Sequence, residues 1–480
     1  MLFVASEVAP FAKTGGLADV AAALPRALAR RGHEVRVVMP GYDSIGAGGH
    51  EPIPGEPDML GFDLGPNRIA ADIEQLDLDG VAVTLVDVPS LYRRGSLYTE
   101  DPDENLRFAV LGKAALELCR RWGWSPNVVH CNDWQTGLIP LQLRTTYRDD
   151  PVLEGARSVF TIHNLAYQGV FDAATIDSLG LAEHRHLFRE GSLEKGRLGF
   201  LETGLVHADV ITTVSSTYAR EILTPEYGCG LDDLLRERSG VLFGILNGID
   251  TDVWNPTTDL HLAHRYSKKS LWRKEWNKRD LLEGLGLEYL ERTPVFGLVS
   301  RLVSQKGIDL IPRPMAGVLE ATDARFVALG SGEPEVESGL GWLVDRFPGQ
   351  ARFVSGYDET LSHRIEASID GFLMPSRYEP SGLNQMYSLA YGTPPLVRRT
   401  GGLADTVEHW DPDTALGTGF LFEHADEGGV RWALEEALSA WGDRSGWRNL
   451  QRNGMAVDNS WDRSAGAYED LYLTLGEVDS

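Results

Sequence analysis

The sequence predicts an α/β protein built from two doubly wound, Rossmann-like domains. Short apolar strands alternate with amphipathic helices, and the alternation runs twice with one turn-rich stretch between the two runs. A chain of 480 residues with 42% hydrophobic content also exceeds what one hydrophobic core usually supports.

The first run begins at the N-terminus. LFVASE reads as a strand, LADVAAALPRALARRG as an amphipathic helix and EVRVVMP as a second strand. VVHCNDW, SVFTIHN and ADVITTVS follow as short apolar strands. NGIDTDVWNPTTD is rich in turn formers and reads as a linker. The alternation restarts near Thr293 with PVFGLVSRL, then ARFVALGSGE, ARFVSGY, GFLMPSR, PPLVRR and GTGFLFE. The polar stretch YRRGSLYTEDPDEN is expected to be a mobile surface loop. Pro312 and Pro314 in IDLIPRPMAGVLEA predict a late helix start, because proline inside a helix costs about 3 kcal/mol.

Composition narrows the function. A formal net charge of −25 argues against a nucleic-acid partner, which needs concentrated positive charge. No apolar run approaches a membrane span and MLFVASE has no basic region before an apolar stretch, so a soluble, cytoplasmic protein is expected. Cys119, Cys131 and Cys229 are odd in number and widely spaced, which predicts neither a disulfide framework nor a zinc site.

TGGLAD occurs twice, at Thr14–Asp19 and Thr400–Asp405, each time after a strand and opening a helix. A Gly-Gly pair at such a turn lets backbone N–H groups approach a ligand, and the helix N-terminus favours an anion. Asp19 and Asp405 are read in the first helical turn, where a carboxylate stabilises the dipole. Neither copy is GxGxxG, and GSGE at 330–333 also fails that spacing, which weakens a dinucleotide oxidoreductase reading.

ASEVAPFAKTGGLADV, HCNDWQTG, TIHNLAYQG, ILNGID, RLVSQKGIDLI, GYDE, RYEPSGLNQMY, YGTPPLVRRTGGLADTV and SWDRSAGAYEDLY resemble, in order, motifs of the bacterial glycogen synthase and plant starch synthase family. The resemblance implies the glycosyltransferase-B fold, with two facing α/β domains, a cleft between them and a last helix crossing back to the first. The domains are then an N-terminal domain over 1–247, a linker over 248–262, a C-terminal domain over 263–456 and a crossover helix over 457–480. The implied reaction transfers glucose from ADP-glucose to the non-reducing 4-hydroxyl of an α-1,4-glucan, with retention of configuration.

Breaking a glucosyl–diphosphate bond leaves negative charge on phosphate and positive charge on the sugar, so cations must converge on the first and acceptors on the second. Arg301 and Lys306, which match the family's phosphate-binding pair, are otherwise ordinary loop cations. Glu379 matches the glutamate that binds the donor glucose, and the Gly382 and Leu383 amides are placed to hold the distal phosphate. The superfamily's second glutamate is replaced by Tyr387, as this family tends to have. His163 matches the cleft histidine, with a structural histidine as the other reading. Asp133 and Asn247 match cleft positions, yet read equally as an N-cap and a turn former. Lys13, with Gly15 and Gly16 beside it, matches the donor-binding glycine loop, and Tyr357 is either an adenine-stacking ring or core.

Retention usually implies a carboxylate nucleophile. The family pattern offers none, which favours a front-face substitution with Arg301 and Lys306 stabilising the leaving phosphate. No Asp-x-Asp motif marks a nucleotide-bound metal at this site, so neither metal nor cofactor is expected. A UDP-glucose-dependent transferase or sugar-nucleotide epimerase of the same fold, and a non-catalytic glucan-binding protein, remain alternatives.

Overall fold

The computed structural model describes residues 1–48, 50 and 58–477. The chain divides into two compact units. One comprises Met1–Val214, Ala219–Ile245 and the residues from Trp461 on, and the other Ser215–Tyr218 and Leu246–Ser460. Among the described residues no helix is long and apolar enough to cross a membrane.

The first unit contains strands β1 (Leu2–Val4), β2 (Arg36–Pro40), β3 (Asp58–Leu64), β4 (Asn67–Leu78), β5 (Val81–Asp87), β6 (Val128–Asn132), β7 (Arg157–Ile162), β8 (Val170–Asp172), β9 (Arg197–Gly199), β10 (Val210–Thr213) and β11 (Leu242–Gly244). Nine of them form one sheet in the order β11-β10-β7-β6-β1-β2-β5-β4-β3, and β8 and β9 make a separate two-stranded antiparallel sheet. The sheet is parallel up to β5, and β4 and β3 extend it as antiparallel strands. Central strands such as β1 and β6 are buried throughout, as a sheet covered on both faces requires. β3 and β4 instead alternate between buried and exposed residues, and that period of two is visible in the sequence although the strands were not among those read there.

The second unit is an all-parallel sheet of β12 (Val295–Leu302), β13 (Arg325–Gly332), β14 (Ala351–Ser355), β15 (Gly371–Met374), β16 (Pro395–Arg398) and β17 (Phe420–Phe422), in the order β14-β13-β12-β15-β16-β17. Alternation along β13 feeds two cores. Phe326 and Ala328 pack on one side with Met315, Leu340 and Val430, while Val327 and Leu329 pack on the other with Leu281, Ile365 and Leu403. The helix after the Arg301–Lys306 loop runs Pro312–Ala321 with Pro312 at its first position, where a missing N–H leaves no helical hydrogen bond unmade.

Two expectations change. YRRGSLYTEDPDEN is tied down: Arg94 reaches Asp101 and Asp103, Arg107 pairs with Glu104 in the interior, and the Tyr98 hydroxyl donates to Glu7. The stretch read as a linker packs into the second unit. There the Asp259 carboxylate accepts from the Tyr391 hydroxyl at 2.5 Å and pairs with His363 Nδ1 at 2.9 Å. The helix Trp461–Glu477 groups with the first unit, where Glu469 bonds Arg31 and His33, and Tyr472 meets the buried His130 at 2.7 Å. Cys119 and Cys131 are buried and Cys229 is exposed, all three free.

Candidate functional site

In the first unit the glycine loop follows β1 and leads into the helix Gly16–Arg30, with Gly15 at the N-cap position. Among the described residues, its chain neighbours aside, no heavy atom lies within 4 Å of where a Gly15 side chain would begin, so these residues leave one face of the loop open. The other face already holds an anion. Glu7 accepts from Thr14 N–H at 2.5 Å, from the Thr14 hydroxyl at 2.7 Å, from Gly15 N–H at 3.3 Å and from the Tyr98 hydroxyl at 2.5 Å. A carboxylate at a helix N-terminus is electrostatically favoured, so Glu7 organises the loop that sequence reading assigned to a ligand. Lys13 is half exposed and paired with Asp19 at 2.7 Å; Asp19 does lie in the first helical turn.

The carboxyl ends of β6 and β7 bring Asp133 and His163 together. Asp133 occupies the N-cap position of the turn Trp134–Thr136, but its side chain makes no capping bond there: its Oδ1 accepts the His163 backbone N–H at 2.7 Å. Its backbone sits at φ +56°, a region that costs a non-glycine residue about 1–3 kcal/mol and that concentrates at functional sites. Burial pushes the Asp133 carboxyl up to about 7, partly opposed by the His163 and Asn164 amides, with the Glu7 charge adding to the rise. Burial pushes His163 down to about 3, so the ring is neutral at pH 7. Its tautomer follows from its neighbour. Asn132 donates its amide to the Val4 carbonyl, so Asn132 Oδ1 accepts from His163 Nε2 at 2.9 Å, which leaves Nδ1 as the acceptor.

In the second unit Arg301 lies at the end of β12 and Lys306 in the turn Ser304–Lys306. Both line a pocket of about 140 Å³ together with Ser300, Met374, Ser376 and Asn384. Lys306 Nζ is 2.7 Å from Glu379 Oε2, and the buried Ser376 hydroxyl donates to the same oxygen at 3.0 Å. Arg301 is exposed and has no carboxylate partner among the described residues. Gly382 takes φ +67° just before the helix Asn384–Ala390, with Leu383 at the N-cap position. Tyr357 is 79% exposed after β14, which removes the core reading. Asn247 is buried, and its Oδ1 has no hydrogen-bond partner among the described residues.

The second TGGLAD does different work from the first. A side chain at Gly401 would begin 1.9 Å from the Glu379 carbonyl oxygen, and one at Gly402 1.9 Å from that of Ser381. Gly402 N–H donates to the Glu379 carbonyl at 3.0 Å. These glycines let the helix Gly401–Thr406 press against the loop that carries Glu379, so the Gly402 N–H serves the protein rather than a ligand. Asp405 lies in the last turn of that helix, where the expected dipole role fails. It accepts instead from Thr217 N–H at 2.8 Å and from the Thr217 hydroxyl at 2.6 Å. The Tyr387 replacement also has a packing role: its ring stacks on Trp254 at 3.8 Å, and Trp254 stacks on His363 at 3.9 Å.

Sequence reading missed Glu7, Tyr98 and Ser376. Glu7 lies inside the quoted motif ASEVAPFAKTGGLADV, but no local pattern marks it. The Tyr98 partnership crosses 91 positions and only the fold makes it.

A family profile described as starch synthase catalytic domain matches residues 1–237, and one described as glycosyl transferases group 1 matches 288–453. The chain is 48% identical to a glycogen synthase from Anaeromyxobacter sp. (strain Fw109-5) and 47% identical to one from Myxococcus xanthus, covering 99% of each chain. The catalytic domain of starch synthase IV from Arabidopsis thaliana, solved with ADP and acarbose, superposes with a TM-score of 0.88 at 37% identity, covering 99% of this chain and 98% of that one. A sucrose-phosphate synthase from Thermosynechococcus elongatus, at 19% identity and a TM-score of 0.60, shares the fold.

Proposed function

The chain belongs to the glycogen and starch synthase family and has its glycosyltransferase-B fold, and from that premise we propose how its residues divide the reaction. The protein is a glucosyltransferase of glycogen synthesis. We assign ADP-glucose as donor and the non-reducing end of an α-1,4-glucan as acceptor, in the cytoplasm.

The observation that carries the reading is the pair of cations at the end of β12, one bound to Glu379. Arg301 and Lys306 stabilise the diphosphate as the glucosyl–oxygen bond breaks, and the Gly382 and Leu383 amides take the distal phosphate. Glu379, held by Ser376 and Lys306, accepts from donor glucose hydroxyls. His163, neutral and with Nδ1 free to accept, bonds a sugar hydroxyl rather than repelling the developing oxocarbenium charge. Asp133 fixes the His163 backbone, Asn247 presents an Oδ1 that no described residue bonds, Tyr357 stacks on adenine, and Lys13 and the Gly15–Gly16 turn contact the donor. In the front-face step the acceptor 4-oxygen bonds to the anomeric carbon from the side the diphosphate leaves. Its proton passes to the departing phosphate oxygen, so configuration is retained.

The test is incubation with ADP-glucose or UDP-glucose plus a maltooligosaccharide, scoring nucleoside diphosphate release and chain growth. Chain growth with ADP-glucose, far faster than with UDP-glucose, is expected. Diphosphate release without chain growth, or a preference for UDP-glucose, overturns the assignment.

A further inference from the structure

Residues 264–279, HRYSKKSLWRKEWNKR, hold seven Lys and Arg against one acid, Glu275, in a chain of formal net charge −25. Lys274 and Lys278 are buried, and Arg265, Lys268, Lys269, Arg273 and Arg279 stay exposed. Among these cations stand two tryptophans that the fold leaves open, Trp272 at 48% and Trp276 at 41% exposure. Trp272 lies in the turn Leu271–Arg273 and Trp276 in the first turn of the helix Lys274–Gly284, four residues on, so helical geometry sets them side by side. Their ring centroids are 4.7 Å apart with planes at 89°. The Arg273 guanidinium stands 5.4 Å from one ring and 6.0 Å from the other, and His264 flanks Trp276 at 5.2 Å.

Two neighbouring indoles left in water point to a partner with an apolar face and a polar rim. A nucleic acid fits poorly: bases stack on parallel plates, and the net charge of −25 repels a polyanion. A glucan chain fits the geometry. Each pyranose ring shows an apolar C–H face bordered by hydroxyls, and the α-linkage turns successive rings relative to one another. Indoles at right angles offer stacking faces in two directions, and the arginine and lysine side chains supply donors for the hydroxyl rim. A neutral sugar also needs no anion to match those cations.

We infer that Trp272, Arg273 and Trp276 form a surface site for an α-1,4-glucan chain, with no part in the chemical step. The inference rests on the glucan reaction proposed above. A branched polymer carries many chains, so holding one at this surface raises the effective concentration of the others at the reacting groups.

The test compares wild type, Trp272→Ala/Trp276→Ala and Trp272→Tyr/Trp276→Tyr in glycogen binding by affinity electrophoresis, at low and high salt. Turnover on glycogen and on maltotriose is measured beside it. Avidity contributes about 10²–10⁴, so the alanine pair is expected to weaken glycogen binding and raise its KM at least tenfold. Turnover on maltotriose should be unchanged, the melting temperature of the alanine pair should fall without loss of folding because both rings are more than half buried, and the tyrosine pair should recover most of the binding at either salt. Unaltered glycogen affinity in the folded alanine pair overturns the site. Binding that vanishes for every variant at high salt assigns the patch to an acidic macromolecule, which also overturns it. Wild type that binds glycogen through the tryptophans but transfers nothing to maltotriose refutes the reaction, not the site.

Discussion

Replacing Lys306 with Gln separates charge from shape at the group proposed to meet the departing diphosphate. In the ligand-free protein Lys306 Nζ lies 2.7 Å from Glu379 Oε2, with side-chain exposures of 18% and 6%. At an effective dielectric of about 20 the gross attraction across that distance is about 6 kcal/mol, most of it offset by the desolvation of both groups. Glutamine keeps a donor for Glu379 but loses the charge and one atom of reach, so folding stability should fall by about 1–3 kcal/mol. The effect on chemistry is larger. Charge that matters only as the diphosphate leaves acts on the transition state, and losing one such electrostatic contact lowers turnover by about 10²–10³, or ~2.7–4 kcal/mol. Steady-state kinetics should show kcat falling by that factor with a smaller change in ADP-glucose affinity, and urea unfolding should give the stability cost. Lys306→Gln/Glu379→Gln should be less destabilised than the sum of the single variants, as direct partners require. Near-normal kcat in folded Lys306→Gln would falsify the catalytic role, and additive stability losses would refute the pair.

Gly401→Ala and Gly402→Ala should each destabilise by about 1–3 kcal/mol and lower activity, because the new Cβ meets a carbonyl oxygen of the Glu379 loop 1.9 Å away. Gly15→Ala meets no described residue within 4 Å beyond its chain neighbours and should keep its melting temperature; if it also keeps full activity, no ligand approaches that face. Asp405→Ala removes both bonds to Thr217 and should cost about 1–3 kcal/mol in urea unfolding, with an unchanged midpoint as the contrary result. His130 and His163, both pushed down to about 3 by burial, should show neutral ring signals in NMR from pH 8 to pH 5, and a midpoint near 6.5 for either would contradict their burial. The unfolded chain binds their protons first, so these two groups withdraw stability as pH falls from about 6.5 toward 3. Asp133, pushed up to about 7, works the other way: the folded state binds its proton first, and its destabilising effect fades as pH falls from about 7 toward 4.

The alternating strands and helices of both units were legible in the sequence, because parallel strands buried on both faces read as short apolar runs and amphipathic helices as a 3.6-residue period. The positions of Arg301, Lys306, Asp133 and His163 at or just after strand ends were legible for the same reason, whereas Glu379 was marked only by its match to the family motif, five residues past the end of β15. The tertiary structure alone decided what those residues touch. Two identical TGGLAD hexamers share backbone chemistry, but one shows an open face beside Glu7 and the other is pressed against the Glu379 loop, because side-chain surroundings come from distant segments. Asp19 and Asp405 likewise share a local sequence and differ in partner, Lys13 for one and Thr217 for the other. Tyr98 meets Glu7, and Tyr387 stacks on Trp254, only after the chain has closed loops of about a hundred residues. Local periodicity carries no information about which such loops close, since that is settled by packing the whole core.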